Sequence, residues 1–305
     1  MGLKIIEKTK GVWIHTSYSA LLYLLLVVIL GGLISSYLLT VVVCQLVYGI
    51  SFFSSSQLVF DSSNVEMMNA MKTMQLFNAI GTFVIPPILF LHLRGLSFVN
   101  YLKLNKPLSG ITIVKVFVLA LAMIPLANFL GFLNESVPLP EFLNFLKLVE
   151  EQSLVLTEQF LKMDSIWDLG IMILIMGVVA AVGEEFLFRG ILQNLFQDWS
   201  KSKHLAIWLT ALLFSLIHMQ YHAVLPRFFL GAFIGYVYVY SGSLRSSIYL
   251  HFFYNTSLVV LSYLIQHKLL ASASLESIGS SSISVIIAVT VLFSLSYKWF
   301  NRASI

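Results

Sequence analysis

Charge is scarce in this sequence. Of its 305 residues, 10% are Asp, Glu, Lys or Arg, where a soluble domain has about 25%. With 58% hydrophobic residues and a mean hydropathy of +0.90, a water-soluble enzyme is excluded and a polytopic membrane protein remains. Cysteine is nearly absent: Cys44 alone can form neither an internal disulfide nor a Cys-rich metal site. His-Glu-x-x-His does not occur, which removes a zincin-like site. Neither Gly-x-Ser-Gly nor Gly-x-Ser-x-Gly occurs, so no serine nucleophile of the usual kind is present. The aspartates are Asp61, Asp164, Asp168 and Asp198; none falls in mid-span, so an intramembrane aspartyl dyad has no support. The net charge of +4 comes from scattered basic residues that suit interfacial loops better than nucleic acid.

What the sequence has is apolar run after apolar run, each near the ~20 residues that a spanning helix needs. The reading is all-α: a polytopic transmembrane helical bundle of about eight helices. They lie within Thr16 to Phe53, then at about Met74 to Leu93, Val116 to Phe132, and from Ile166 onward. The rest are His204 to Val224, Phe228 to Tyr240, Ser246 to Ile265 and Ile278 to Tyr297. The N-terminal apolar run is too long for a signal core and reads as a retained helix. Residues 1–165 form an N-terminal transmembrane region, 166–268 the core that carries the chemistry, and 269–305 a C-terminal helix. Lys4, Lys8, Lys10, Arg94, Lys103, Lys106, Lys115, Lys201, Lys203, Arg245, Lys298 and Arg302 fall on one side. Lys72, Lys147, Lys162, Arg227 and Lys268 fall on the other. The excess marks the first side as cytoplasmic, with both termini; in a prokaryote this would be the inner membrane. The connector Asn134 to Ser165 is then external and acidic. It reads equally as an amphipathic helix on the outer leaflet, through Phe142, Phe145, Leu146 and Val149, or as a solvated linker.

The fourth span holds the exception to this apolarity. After Leu169 to Gly183 without a charge come Glu184, Glu185 and, four residues later, Arg189. Ionisable groups at membrane depth mark function by default. Glu185 and Arg189, at i and i+4, can pair, and pairing neutralises two charges that are each severely penalised alone. Glu184 projects roughly 100° away around the helix and is the carboxylate left for proton transfer. At 1.5 Å per residue, Glu184 and His218 both lie roughly 20 Å from the cytoplasmic side. His251 and Asn255 share one face of the seventh span. A glutamate near a histidine can activate water, and a second His with an Asn can stabilise an oxyanion.

Glu184-Glu185-x-x-x-Arg189, Phe214-x-x-x-His218 and His251-x-x-x-Asn255, in this order on separate spans, resemble the motif set of the CPBP family. These are intramembrane proteases that include type II CAAX prenyl endopeptidases, bacteriocin-processing or immunity proteins and the Abi proteins. The resemblance covers about Ile171 to Tyr263. It implies an endopeptidase acting in the lipid bilayer on membrane-associated or lipidated peptides and proteins. Glu184 and His218 would activate the water and His251 and Asn255 would hold the oxyanion. Glu185 and Arg189 would support the site, with Phe214 packed behind it. The family is conventionally called metalloproteases, and Glu184, His218 and His251 could ligate zinc with a position left open; a metal-free glutamate mechanism is slightly preferred. His222, four residues after His218, has no counterpart in the motif and reads as structural.

Two other classes compete: a proton-coupled carrier using Glu184, and a non-catalytic immunity or scaffold protein. Many carriers repeat one half of the chain in the other; the first three spans here carry no matching polar cluster, which favours the enzyme.

Overall fold

The computed structural model describes residues 9–13, 16–51, 64–270 and 281–302, with the side chains of 297–302 left aside. Among the described residues the chain is all helix and turn, with no strand, as lipid demands of a bundle that must satisfy its own backbone. Helix α1 is Tyr18–Tyr48, α2 Val65–Leu93 and α3 Gly110–Glu135. An amphipathic α4, Phe145–Phe160, precedes α5, Ile166–Ser200. Then come α6, Lys203–Leu216, α7, Val224–Ser241, α8, Leu244–Gln266, and α9, Ser282–Arg302. Six of these, α1, α2, α3, α5, α7 and α8, are long and apolar enough to cross a membrane. The other two expected spans are shorter apolar helices, Lys203–Leu216 and Ser282–Ser296. The expected onset of the last span at Ile278 and the end of the first at Phe53 lie outside the described residues.

The helix ends follow local chemistry. Ser17 accepts the Ala20 N–H to open α1, and Gly49, at φ 69°, closes it by returning its N–H to the Cys44 carbonyl. Ser165 and Asp168 open α5 with a reciprocal capping box. The turn between α7 and α8 is the expected one, with Gly242 at φ 65°. Pro125 sits inside an unbroken α3. Pro86 and Pro87 instead follow a π-helical segment, Ile80–Val84, that widens α2 just before them.

Helix α5 is central. It packs on α2, α6 and α8, while α3 gathers α7, α8 and α9 on the other side. One apolar core joins Leu25, Phe90, Leu187, Phe188, Phe214 and Tyr238 from α1, α2, α5, α6 and α7. A second joins Leu119, Met123, Ile234 and Leu250 with Leu292 of α9. On α1, Leu26, Leu30, Ile34 and Leu38 face outward, as a lipid-contacting surface does.

The bundle has two distinct polar ends. At one, Ser243 Oγ donates to the Lys106 carbonyl, and Lys103, Lys106, Lys203 and Asp198 lie within electrostatic reach of one another. Burial beside two other lysines holds the Lys103 ammonium pKa below its ordinary value. At the other end Lys72 pairs with Asp168 at 3.3 Å and Gln266 accepts the Met163 N–H. Helix α4 lies there, with Phe145, Leu148 and Leu154 exposed and Glu150 turned into the protein.

Candidate active site

The fifth expected span ends early, and this changes how His218 is held. Its reading as a helix to Val224 is corrected by the structure: α6 stops at Leu216, Met219 takes φ 54°, and Gln220 is extended. The turn persists because other elements supply its hydrogen bonds. Asn134 of α3 donates to the Tyr221 carbonyl at 2.9 Å and accepts the Leu225 N–H at 2.8 Å. Glu150 of α4 accepts the His222 N–H at 3.0 Å through Oε1 and meets His222 Nδ1 at 2.9 Å through Oε2. His222 is thus structural here, clasped to the connector. His218 sits just past the α6 terminus, and its Nδ1 meets the Phe214 carbonyl at 2.7 Å. A carbonyl only accepts, so Nδ1 carries the proton and Nε2 is the nitrogen left for other partners.

Helix α5 departs from α-geometry on both sides of the glutamates. Segments Ile173–Val179 and Phe186–Gln193 are π-helical, and Ala180–Glu185 between them is α-helical. In the first segment the Ala180 N–H reaches the Ile175 and Gly177 carbonyls and bypasses Met176. The Met176 carbonyl is therefore free to accept from Asn255 Nδ2 at 2.9 Å. π-Segments recur at functional sites for this reason: they release a backbone group for use elsewhere. Gly177 makes the approach possible, since a Cβ there would stand 2.6 Å from Thr256 Oγ1 on α8.

Glu185 is sealed. Its Oε1 accepts from Arg189 Nη1 at 2.6 Å and from His251 Nδ1 at 2.9 Å, and the Glu185 and Arg189 side chains are both 0% exposed. Arg189 also donates through Nη2 to the Gly231 carbonyl at 2.9 Å, and its guanidinium lies 4.9 Å over the Phe214 ring. Ion pair, backbone acceptor and cation–π contact together offset the burial of this guanidinium, although Arg189 Nε and Glu185 Oε2 are buried without a hydrogen-bond partner among the described residues. Phe214 also stands edge-on to His218 and His251, with centroids 5.0 and 6.1 Å apart.

Glu184 points elsewhere. Its side chain keeps 14% exposure, and its Oε2 lies 3.7 Å from His251 Nε2. So His251 stands between the two glutamates, Nδ1 on Glu185 and Nε2 towards Glu184. Among the described residues no hydrogen bond or ion pair joins Glu184 to His218; both border the His251–Phe214 edge. Nor do any three His, Cys, Asp or Glu groups among the described residues converge as a metal site.

Six expected residues, Glu184, Glu185, Arg189, Phe214, His218 and His251, are linked by these contacts, while Asn255, one turn beyond His251 on α8, meets the Met176 carbonyl. The sequence did not reveal the Met176 carbonyl, which only a π-segment exposes, or Glu150, which looked like one more acid of the connector. Arg227 was counted as a loop cation but stands in the first turn of α7, within electrostatic reach of Glu184. The available signal was its position in an apolar run directly after Pro226.

Neither a curated protein nor a solved structure matches this chain. Residues 166–257, from the start of α5 to the Asn255 turn of α8, match the family model described as type II CAAX prenyl endopeptidase Rce1-like. The match takes in all three motifs, agrees with their CPBP resemblance, and makes the segment that carries them an Rce1-like one within an integral, multi-pass membrane protein.

Proposed function

We propose that the protein is an intramembrane endopeptidase that hydrolyses peptide bonds of membrane-associated or lipidated substrates with water activated at Glu184. The observation that carries this reading is the division of labour between adjacent carboxylates: Glu185 is consumed by Arg189 and His251, and Glu184 is not.

Glu184 takes a proton from a water held between it and His218 Nε2, which the Phe214 contact leaves available. The water oxygen bonds to the scissile carbonyl carbon, and the carbonyl oxygen becomes an oxyanion. The second N–H of Asn255 Nδ2, the first being spent on Met176, donates to that oxygen. His251, whose Nε2 lies 3.7 Å from Glu184 Oε2, stands beside it as the second group of the oxyanion site. Collapse breaks the C–N bond, and the proton held by Glu184 passes to the leaving nitrogen. The products are a new carboxylic acid, which gives its proton to solvent, and a new amine, with no other reactant consumed. No step here runs through a metal.

The Rce1-like match supports CAAX-type processing of C-terminal segments; processing of a secreted peptide precursor uses the same chemistry. The deciding experiment is a peptidase assay of purified protein on a library of membrane-anchored peptides, wild type beside Glu184→Gln. Cleavage by wild type and its loss in the variant is the expected result; equal cleavage by both removes Glu184 from the reaction. For topology, the lysine-rich end of the bundle supports cytoplasmic termini. Cysteines at Lys201 and Glu151 in a Cys44→Ser background test this with an impermeant maleimide on intact cells. Labelling of the second alone is expected, and labelling of the first alone inverts the protein.

A further inference from the structure

Helix α4 presents three sides, each with a different chemistry. At about 100° per residue, Leu146, Val149, Glu150, Ser153 and Phe160 fall together, and all are buried or half-buried against the bundle. Lys147, Glu151 and Glu158 form a second stripe, within about 40° of one another, and all are exposed. Phe145, Leu148 and Val155 form a third, within about 80°, with Gln152 as its polar member. These three apolar side chains are at least half exposed. A helix at the rim of a membrane bundle is divided in this way, with protein, water and lipid each taking one side. Leu146 and Val149, which the sequence suggested for the lipid face, turn to the protein instead.

The neighbours of α4 put it at the membrane surface. Phe160, at its C-terminal end, packs against the cluster of Met163, Met172 of α5 and Val259 of α8. Ile166 and Trp167, where α5 begins, are exposed as well, and tryptophan at the end of a spanning helix sits at headgroup level. Along the chain, exposed apolar side chains continue from Phe132 on the spanning α3 through Val137 and Phe142 to Phe145. The charged stripe sets one lysine against two glutamates, which suits zwitterionic headgroups and not anionic ones.

On its protein side α4 holds the turn that carries His218. Glu150 engages the His222 N–H and Nδ1 with its two oxygens. Tyr221 donates its hydroxyl to the Pro138 carbonyl at 3.3 Å, in the segment that leads into α4. Between His218 and these residues Met219 takes φ 54°, a left-handed conformation that costs a residue with a side chain and so needs outside support. We propose that α4 is a membrane-seated clamp: Phe145, Leu148 and Val155 enter the leaflet at this end of the bundle, and that seating holds Glu150 against the turn that positions His218. Glu150 is then a positioning residue, and the lipid surface is part of what supports the site. The effect on catalysis rests on the hydrolase reading; the seating and the clasp do not.

The test uses the full chain in phosphatidylcholine vesicles. Leu148→Cys and Glu151→Cys, each in a Cys44→Ser background, carry an environment-sensitive fluorophore. Spin-labelled lipid should quench the first and aqueous iodide the second. Phe145→Ser, Leu148→Ser and Val155→Ser together should leave helix content near wild type and speed hydrogen exchange at 217–223 by about tenfold. The same variant should lower kcat by about 3- to 10-fold at an unchanged KM. Phe145→Leu, Leu148→Met and Val155→Leu together should restore both. Iodide quenching at both positions puts α4 in water and overturns the proposal. Quenching by neither agent at Leu148→Cys, with cross-linking of two protomers through it, gives the stripe to a second copy and overturns it too. Exchange or kcat unmoved by the serine variant likewise overturns it. If wild type cleaves no library member while quenching and exchange behave as expected, the hydrolase reading falls and the clamp stands.

Discussion

The two faces of α5 at its glutamates differ in what holds them. Glu185, Arg189, Gly231 and His251 are tied together wholly within the membrane bundle, each by a neighbouring spanning helix. On the Glu184 side, His218 comes from a turn whose hydrogen bonds arrive from α3 and from α4, an amphipathic helix beside the bundle. One face is a set of paired charges that stabilises; the other keeps a partly exposed carboxylate and a cation, Arg227, that makes no ion pair among the described residues. The lesson is that one dipeptide, Glu184-Glu185, supplies both a structural and a reactive group because a 100° turn sends them to different neighbours.

Four substitutions break or sharpen that contrast. The largest effect is expected from Glu184→Gln, which removes the open carboxylate: hydrolysis should fall by about 10²–10⁴-fold, the range for general-base loss, with circular dichroism and melting near wild type. A melting loss instead would place Glu184 on the paired side. Next is Arg189→Ala. It leaves Glu185 buried without its cation and should cost about 3–5 kcal/mol, read by denaturant unfolding in detergent, with a Glu185→Gln, Arg189→Met double variant recovering much of it. If the single variant unfolds like wild type, the paired face does not stabilise.

Glu150→Ala probes the other side. It strips the His222 N–H of its acceptor and should cost about 1–3 kcal/mol. The loss should appear as faster hydrogen exchange at 217–223 and lower activity, while the Glu185–Arg189 pair is undisturbed. Unchanged exchange there would mean that the turn stands without α4. The smallest effect is expected from Gly177→Ala, where the new Cβ pushes on Thr256. Crowding of this kind costs typically about 1–3 kcal/mol, at the low end here because a hydroxyl can rotate aside. A modest drop in activity is the outcome that links both faces through the α5–α8 contact; none would show that Asn255 follows α5 regardless.

Much of this was legible in the residues. The Glu185–Arg189 pair followed from i,i+4 spacing in an apolar run, and His251 with Asn255 from the same spacing on α8. The bulk of the spans followed from the absence of charge, because a bilayer leaves a long apolar segment only one backbone solution. The end of α6 was not legible. Leu216 to Val224 has no breaker strong enough to stop a helix before Pro226; the turn exists because Asn134 and Glu150, remote in sequence, satisfy its backbone. The π-segments of α5 were equally hidden, since their i+5 bonds are chosen by what α8 and α2 pack against them.

By itself, then, the sequence determined the solvent, the helical class and the inventory of reactive groups, since those depend on local composition and on periodicities of three and four. Tertiary structure alone decided which carboxylate is sealed and how the Met176 carbonyl is released to Asn255. It also decided that Arg227 stands in the first turn of α7 within electrostatic reach of Glu184. Each of these is a matter of which remote group occupies the adjoining volume, and no local spacing encodes that.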